Sequence, residues 1–408
     1  MLTTRIDPFV GWLAGFTALP PTGDGPLRGV RLAVKDVVDL AGLPTGAGHP
    51  DWLRTHGTAA ADAAVVARLR AAGASVVGKT HTDELAYSLN GSNAHYGAPL
   101  NSAAPDRLCG GSSSGSASAV ALGAADLGLG TDTAGSCRVP ASYCGLFGFR
   151  PSHGRVPRDG IVPLAPSFDV PGLLARDLSL LDAGVRTLLD PGPRAAEDGA
   201  AEGGVGLLVP EDLWSAVTPR VREALRPVLD RFAGDLPTVD RAPWFGSGAA
   251  QWQQARAAFT TVQAAEAWAC HGAWIERERP RFGPGVTERF ALARSVTGEQ
   301  ERAARATLTA TAEQLTARLA HGTVLALPCS AGPAPLIGSG PVDAGFRAAT
   351  VALTFLASAS GAPAVSVPGA LLDGAPVGLC LVAAPGADEQ LLDLLLRHLG
   401  DAPAVDRR

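Results

Sequence analysis

Two glycine- and serine-rich stretches between Cys109 and Pro140 limit the chain most strongly, because no long regular element can contain them. They are Cys109-Gly-Gly-Ser-Ser-Ser-Gly-Ser-Ala117 and Gly130-Thr-Asp-Thr-Ala-Gly-Ser-Cys-Arg-Val-Pro140. Glycine admits tight backbone turns, and serine competes for backbone hydrogen bonds. Gly110 to Gly115 therefore reads as a tight turn or nest. Ala117 to Ala125 reads as a helix whose small face allows close backbone packing. Gly130 to Arg138 is expected as a second glycine-containing loop.

The flanking segments place these loops in an α/β framework. Leu32-Ala33-Val34 reads as a short buried strand ending at Lys35-Asp36. Ala64, Val65, Leu69 and Ala72 recur at helical spacing, so a helix is expected over about Ala61 to Ala72. Gly73 can stop it, and Ser75-Val76-Val77-Gly78 reads as the next strand. A strand–helix–strand order argues for crossover helices on a sheet. Beyond Asp169 regularity weakens, and Pro191 to Gly204 reads as a surface linker. Val205 to Val209 is a candidate strand, followed by helical material from Pro219 to Phe232. Gln251 to Ala320 reads as mostly helical, broken near Pro280 and Pro284. Val324 to Leu327 and Ala364 to Val367 are short strands, and Glu389 to His398 is the last helix. There is no internal repeat.

Composition removes several function classes. The 408 residues are 46% apolar and 18% charged, with a formal charge of -5 and mixed signs, so no nucleic acid partner is expected. Met1 to Pro20 has no signal-peptide pattern, and apolar runs such as Ala117 to Leu129 are too short or interrupted to span a membrane. Six dispersed cysteines form no CxxC pair, so neither a zinc site nor a disulfide framework is indicated. A cytoplasmic, reducing location is the expectation. The eight histidines are scattered; His49, His56, His81 and His95 read as surface or supporting groups rather than a metallohydrolase cluster.

The two loops resemble the amidase signature family, which has a Ser–cis-Ser–Lys triad. The resemblance runs from Gly29-Val-Arg-Leu-Ala-Val-Lys-Asp36 to Pro376-Val-Gly378. It implies that Ser136 is the nucleophile, Ser112 the bridging serine after a cis peptide bond, and Lys35 the terminal base. Ser112 and Ser136 lie 24 positions apart, as the family pattern requires. The resemblance also implies an oxyanion hole from the amides of Thr133, Ala134, Gly135 and Ser136, with Ser113, Asp132 and Arg138 in support. Ala134 stands where the family usually has glycine. The implied fold is α/β, one large domain over 1–408 with a mixed β-sheet covered by helices on both faces. Its parts are a signature core at about 28–180, a mostly helical layer at about 251–320, and C-terminal strands and a helix at 323–400.

The chemistry is coherent without the family name. An amide has a poor leaving group, so the attacking hydroxyl must lose its proton as it attacks. A lysine accepts that proton only as a neutral amine, which burial favours. A serine between them can relay the proton, and backbone N–H groups can hold the oxyanion. No cofactor or metal is needed, and the expected partner is a small amide, with the chain a monomer or homodimer. Other motifs fail: Gly111-Ser-Ser-Ser-Gly115 fits GxSxG but lacks the preceding apolar strand, and no Gly-Lys-Ser/Thr completes a phosphate loop.

Within the family the chain is most similar to the plant-type branch that includes indole-3-acetamide hydrolase. Gly48-His-Pro-Asp-Trp52, Gly78-Lys-Thr-His-Thr-Asp-Glu-Leu-Ala-Tyr-Ser88, Asn93-Ala-His-Tyr-Gly97, Gly148-Phe-Arg-Pro-Ser-His-Gly154 and Pro280-Arg-Phe-Gly-Pro-Gly285 carry that similarity. Hydrolysis of an aryl- or indolyl-acetamide is the resulting expectation. Alternatives are an allophanate- or carboxybiuret-type hydrolase and the amidase subunit of a tRNA-dependent amidotransferase. A non-enzymatic binding protein would be expected to lose Lys35 or a serine. Pocket candidates are the loop before Ser112, the segment after Cys137, and Phe259, Trp268 and Trp274, for which ordinary packing is an equally good reading.

Overall fold

Glycine alternating with leucine in one central strand sets the two faces of the sheet. This computed structural model describes residues 5–191, 206–234, 236, 238–245, 249–338 and 343–400. Its strands are β1 (Arg5–Ile6), β2 (Arg31–Lys35), β3 (Ser75–Thr80), β4 (Ala98–Pro99), β5 (Leu127–Asp132) and β6 (Phe147–Arg150). They continue with β7 (Val170–Ala175), β8 (Gly206–Leu208), β9 (Thr238–Asp240), β10 (Val324–Pro328), β11 (Ala364–Leu372) and β12 (Ala375–Val382). The helices are α1 (Pro50–Thr55), α2 (Ala64–Ala71), α3 (Ser114–Ala121), α4 (Arg138–Cys144), α5 (Leu178–Leu188) and α6 (Glu211–Trp214). After them come α7 (Pro219–Ala233), α8 (Ala249–Glu278), α9 (Val286–Ser295), α10 (Gly298–Arg318), α11 (Ala344–Ser360) and α12 (Asp388–Leu399).

Ten strands make one mixed sheet in the order β3-β2-β5-β7-β6-β11-β12-β10-β8-β9, and β1 pairs with β4 apart from it. The pairs β2–β3, β2–β5, β8–β10 and β8–β9 are parallel, and the central pairs from β5 to β10 are antiparallel. Side chains alternate across a strand. On β5, Gly128 and Gly130 face α3 and α4: a Cβ on Gly128 would meet Ser116 and Val120, and one on Gly130 would meet Ser113 and Cys137. Leu127 faces the other way, against Gly184 of α5. The small residues thus admit α3 and α4 to one face, where every side chain of both helices is buried. The leucines fill the opposite face beneath α5, and each fully buried leucine contributes roughly 1.5–3 kcal/mol.

The result is a single α/β domain with a mixed sheet flanked by helices, as the sequence implied. The strands expected near 32, 75, 324 and 364 are present, β3 and β11 being longer than expected. The helical layer breaks at the expected prolines, with α8 ending at Glu278 and α9 starting at Val286. Two expectations are corrected. Gly130 to Asp132 are strand, because β5 lies between β2 and β7 and needs no bulk on its α3 face. Regularity does not weaken after Asp169: β7 and α5 follow at once, with Asp177 capping α5 by accepting the Leu180 N–H at 2.7 Å. The expected linker at 191–204 lies almost wholly outside the described residues. No described helix is long and apolar enough to cross a membrane, and all six cysteines are free thiols.

Candidate active site

Lys35 is the last residue of β2, and Thr131 lies near the end of the neighbouring parallel strand β5. This register carries both side chains to the same end of the sheet. The Lys35 amine is fully buried and lies 2.7 Å from Ser112 Oγ and 2.7 Å from Thr131 Oγ1. Burial lowers its pKa from 10.5 to about 8, against the opposing pull of Cys137, Asp83, Asp132 and Asp169. No described carboxylate touches it. Lys79, on adjacent β3 and equally buried, is built differently: its amine lies 2.9 Å from Asp36 Oδ1 and donates to Pro44 O and Thr45 Oγ1. One buried lysine is ion-paired and the other meets hydroxyls.

Ser112 follows a cis Gly111–Ser112 peptide and stands two residues before the start of α3. The Gly111 N–H donates to Leu89 O at 2.9 Å, and a Cβ on Gly111 would come within 2.2 Å of Asp83 Oδ2. The Ser113 N–H donates to Ser136 O at 3.3 Å, tying the two loops together. Ser113 Oγ also accepts the Thr131 N–H and donates to Thr131 O, each at 3.3 Å. Ser113 thus steadies the peptide of the residue whose hydroxyl meets Lys35.

Ser136 is buried in the turn between β5 and α4, whose shape is set by Asp132. The Asp132 carboxylate accepts the N–H groups of Gly135 at 2.8 Å and Cys137 at 3.1 Å. Arg138 grips it from Nε at 3.0 Å and from a terminal nitrogen at 2.9 Å, and Arg150 reaches it at 3.2 Å. Burial pushes the Asp132 pKa up, but the Arg138 charge and hydrogen bonds, helped by Arg150, outweigh this and hold it well below the usual carboxylate range. Of the four amides implied for an oxyanion hole, Gly135 therefore already donates to Asp132. From α11, Thr354 Oγ1 donates to Ala134 O at 2.6 Å, while Arg138 donates to Thr354 O at 3.0 Å and Ser358 Oγ at 3.2 Å. Thr133 Oγ1 donates to Asp169 at 2.5 Å. Cys137, beside Ser136, is no rival nucleophile, because burial pushes its thiol up to about 12.

The structure thus gathers Lys35, Ser112, Ser113, Asp132, Thr133, Ala134, Gly135, Ser136 and Arg138 around two adjoining loops. Sequence reading missed Thr131, Arg150 and Thr354 as part of this assembly. Thr131 stood inside the quoted motif, and Arg150 inside Gly148-Phe-Arg-Pro-Ser-His-Gly154, but nothing in the sequence of α11 marked Thr354. Phe259, Trp268 and Trp274 are taken up by packing. Phe259 is fully buried against Phe168 and Phe355, Trp268 lies under Arg294, and Trp274 packs on Trp52 and donates to Thr55 Oγ1.

Of the histidines expected as surface or supporting groups, His49 and His81 are buried. His49 Nδ1 accepts the Asp51 N–H at 3.1 Å, which leaves Nε2 to donate to Arg281 O at 3.2 Å. His49, Glu84 and His95 bring possible ligand atoms within 4.8 Å. Yet both His49 nitrogens are engaged, and Glu84 accepts the Gly283 N–H and lies 3.1 Å from His95. Asn93 joins this tie, donating to Gly48 O and Thr82 O. The trio's contacts hold three loops together.

The amidase family model matches residues 18–199. "Amidase 1" of Oryza sativa subsp. japonica is 38% identical over 407 residues, covering 92% of this chain and 91% of that protein. The chain belongs to the amidase family. This amidase is also similar to a crystal structure of an amidase at 33% identity and TM-score 0.80, covering 91% of this chain and 84% of that one. The allophanate hydrolase of Kluyveromyces lactis matches at 26% identity and TM-score 0.81, over 92% of this amidase and 62% of that chain. Family membership makes this chain a hydrolase of carboxamide-type substrates.

Proposed function

We propose that this amidase hydrolyses a small linear carboxamide to carboxylate and ammonia, with Ser136 as nucleophile, Ser112 as proton relay and Lys35 as base. The observation that carries the reading is the Lys35 amine, buried without a touching carboxylate, 2.7 Å from Ser112 Oγ and held down to about 8. A neutral amine there takes the Ser112 proton as Ser112 takes the Ser136 proton. The Ser136 oxygen then bonds to the carbonyl carbon. The C–N bond breaks as the relayed proton returns to the departing nitrogen, giving ammonia and an acyl-enzyme. Water, activated by the same relay, releases the carboxylate and restores Ser136.

We assign the oxyanion to the amides of Thr133, Ala134 and Ser136, with Gly135 bracing the turn through Asp132. One such donor is typically worth about 3 kcal/mol in the transition state. Ser113, Asp132 and Arg138 act by positioning.

The plant-type reading, with an aryl- or indolyl-acetamide substrate, draws support from the similarity to the rice protein. The allophanate alternative draws on Ala134 and on the likeness to the yeast hydrolase. Ammonia release from indole-3-acetamide, aliphatic and aryl amides, and allophanate, each beside Ser136→Ala, tests the proposal. Release that vanishes in the variant is expected. Release that persists there, or silence on every amide from folded protein, contradicts it.

A further inference from the structure

Buried guanidinium groups normally have carboxylate or carbonyl partners, because leaving an ionic donor unpaired away from water costs free energy. Two arginines beside the catalytic loops depart from this. The Nε atoms of Arg289 on α9 and Arg347 on α11 are buried without a hydrogen-bond partner, and among the described residues neither side chain has an ion pair. They lie within electrostatic reach of each other, of Tyr87 and of Asp83, and Arg289 sits 5.5 Å over the Tyr87 ring. Burial, then the Arg347 charge, lowers Arg289 to about 10; burial likewise lowers Arg347. Arg256 of α8 adds a further positive charge near Arg347.

The carboxylates in reach do not balance these charges. Asp83 commits Oδ2 to the Gly91 N–H at 3.1 Å, and Glu288 takes the Gly285 N–H at its own helix start. Three arginines share two acids, and of these Glu288 is held at its own helix start while Asp83 keeps a buried Oδ1 without a hydrogen-bond partner.

The position connects this charge to the proposed chemistry. Arg347 lines a narrow cleft with Leu89, Asn90, Tyr143, Phe346 and Thr350. Leu89 holds the Gly111 N–H before Ser112. Thr350 is one turn along α11 from Arg347, and Thr354, a further turn on, donates to Ala134 O beside Ser136. Asp83, whose carboxylate lies against Gly111 before Ser112, is within electrostatic reach of Arg289, Arg347 and Lys35, which puts both guanidinium groups on the Ser112 side of the site.

We propose that Arg289 and Arg347 form the acyl-end subsite of this amidase and bind a carboxylate at the far end of a short substrate, making it a dicarboxylic monoamide. The assignment rests on the amidase reading above and names its substrate class. Paired charged hydrogen bonds to a planar carboxylate suit arginine.

The test compares succinamate with butyramide, which differ chiefly in the terminal charge, in wild type, Arg289→Gln, Arg347→Gln and the charge-retaining Arg347→Lys. The expected result is at least about tenfold higher kcat/KM for succinamate, carried by KM, collapsing toward parity in each glutamine variant and partly restored by lysine. Parity in wild type, or a preference unchanged in both glutamine variants, overturns the subsite. Calorimetric titration with succinate separates this from the amidase reading. If no amide is hydrolysed, the amidase proposal fails. Succinate affinity weakened about tenfold or more in folded glutamine variants would still support the anion site. Undetectable binding to wild type, or equal binding to all variants, would overturn it.

Discussion

Lys35 Nζ lies 2.7 Å from Ser112 Oγ, across 77 residues of sequence, and meets no described carboxylate. The neighbouring lysine on the next strand, Lys79, has Asp36 at 2.9 Å. Two equally buried lysines thus have different settings: Lys79 is ion-paired, whereas the Lys35 amine meets hydroxyls and burial lowers it to about 8.

The pH profile follows from that placement. With the amine lowered to about 8, kcat/KM rises with pH and levels off above an apparent pKa near 8. Lys35→Met abolishes this limb and lowers kcat by about 10²–10⁴-fold. The sign for stability is opposite. A lysine whose folded pKa lies below its unfolded value gains stability as pH rises from about 8 to 10.5, and at pH 7 the fold must bury a cation. Lys35→Met therefore raises Tm at pH 7, measured by thermal melting, while activity falls.

Thr131 Oγ1 holds the Lys35 amine at 2.7 Å, as close as Ser112 Oγ does. Removing its hydroxyl in Thr131→Val leaves substrate contacts intact but frees the amine to move. A misplacement of this kind costs kcat about 10²-fold, with KM little changed, and Thr131→Ser restores most of it. Steady-state kinetics of both variants check this.

Asp132 is the anchor of the nucleophile turn, with Arg138 and Arg150 as its fully buried partners. Asp132→Asn leaves two guanidinium groups undercompensated, and breaking a buried pair in this way costs about 3–5 kcal/mol. A urea titration reads the loss. Because the folded carboxyl is held below the ordinary range, its stabilisation is complete above that range and fades only as pH falls through it.

Thr354 reaches from α11 to Ala134 O at 2.6 Å and packs against Gly135, where φ is +113°. Thr354→Val removes the hydrogen bond with little change of volume. The amides of the turn then lose their aim, and kcat falls by about tenfold or more while substrate KM changes little. Kinetics beside a thermal melt separate this from unfolding.

What the sequence made legible follows the range of the interactions. Strands such as β2 and helices such as α2 carry their own period, and the catalytic loops carry a motif of unusual composition. The strand character of Gly130 to Asp132 was hidden because it comes from β2, β7 and α3, far away along the chain. Arg150 and Thr354 were hidden for the same reason: an arginine on a strand and a threonine on a small-residue helix gain meaning only against Asp132 and Ala134. The aromatic residues of α8 pointed to a pocket wall, but Phe168 and Phe355 take up Phe259, Arg294 covers Trp268, and Trp52 takes up Trp274. Arg289 and Arg347 gave no local signal, because an unpaired charge is visible only once its surroundings are known.

Mapping the acylated residue tests the proposed chemistry most directly. A reaction with a turned-over amide is quenched in acid during steady state, and the peptides spanning residues 109–117 and 130–140 are weighed by mass spectrometry. The predicted result is an acyl mass increment on Ser136 alone, absent from Ser136→Ala. An increment on Ser112, Ser113 or Ser114 in place of Ser136 would contradict the assignment of nucleophile and relay.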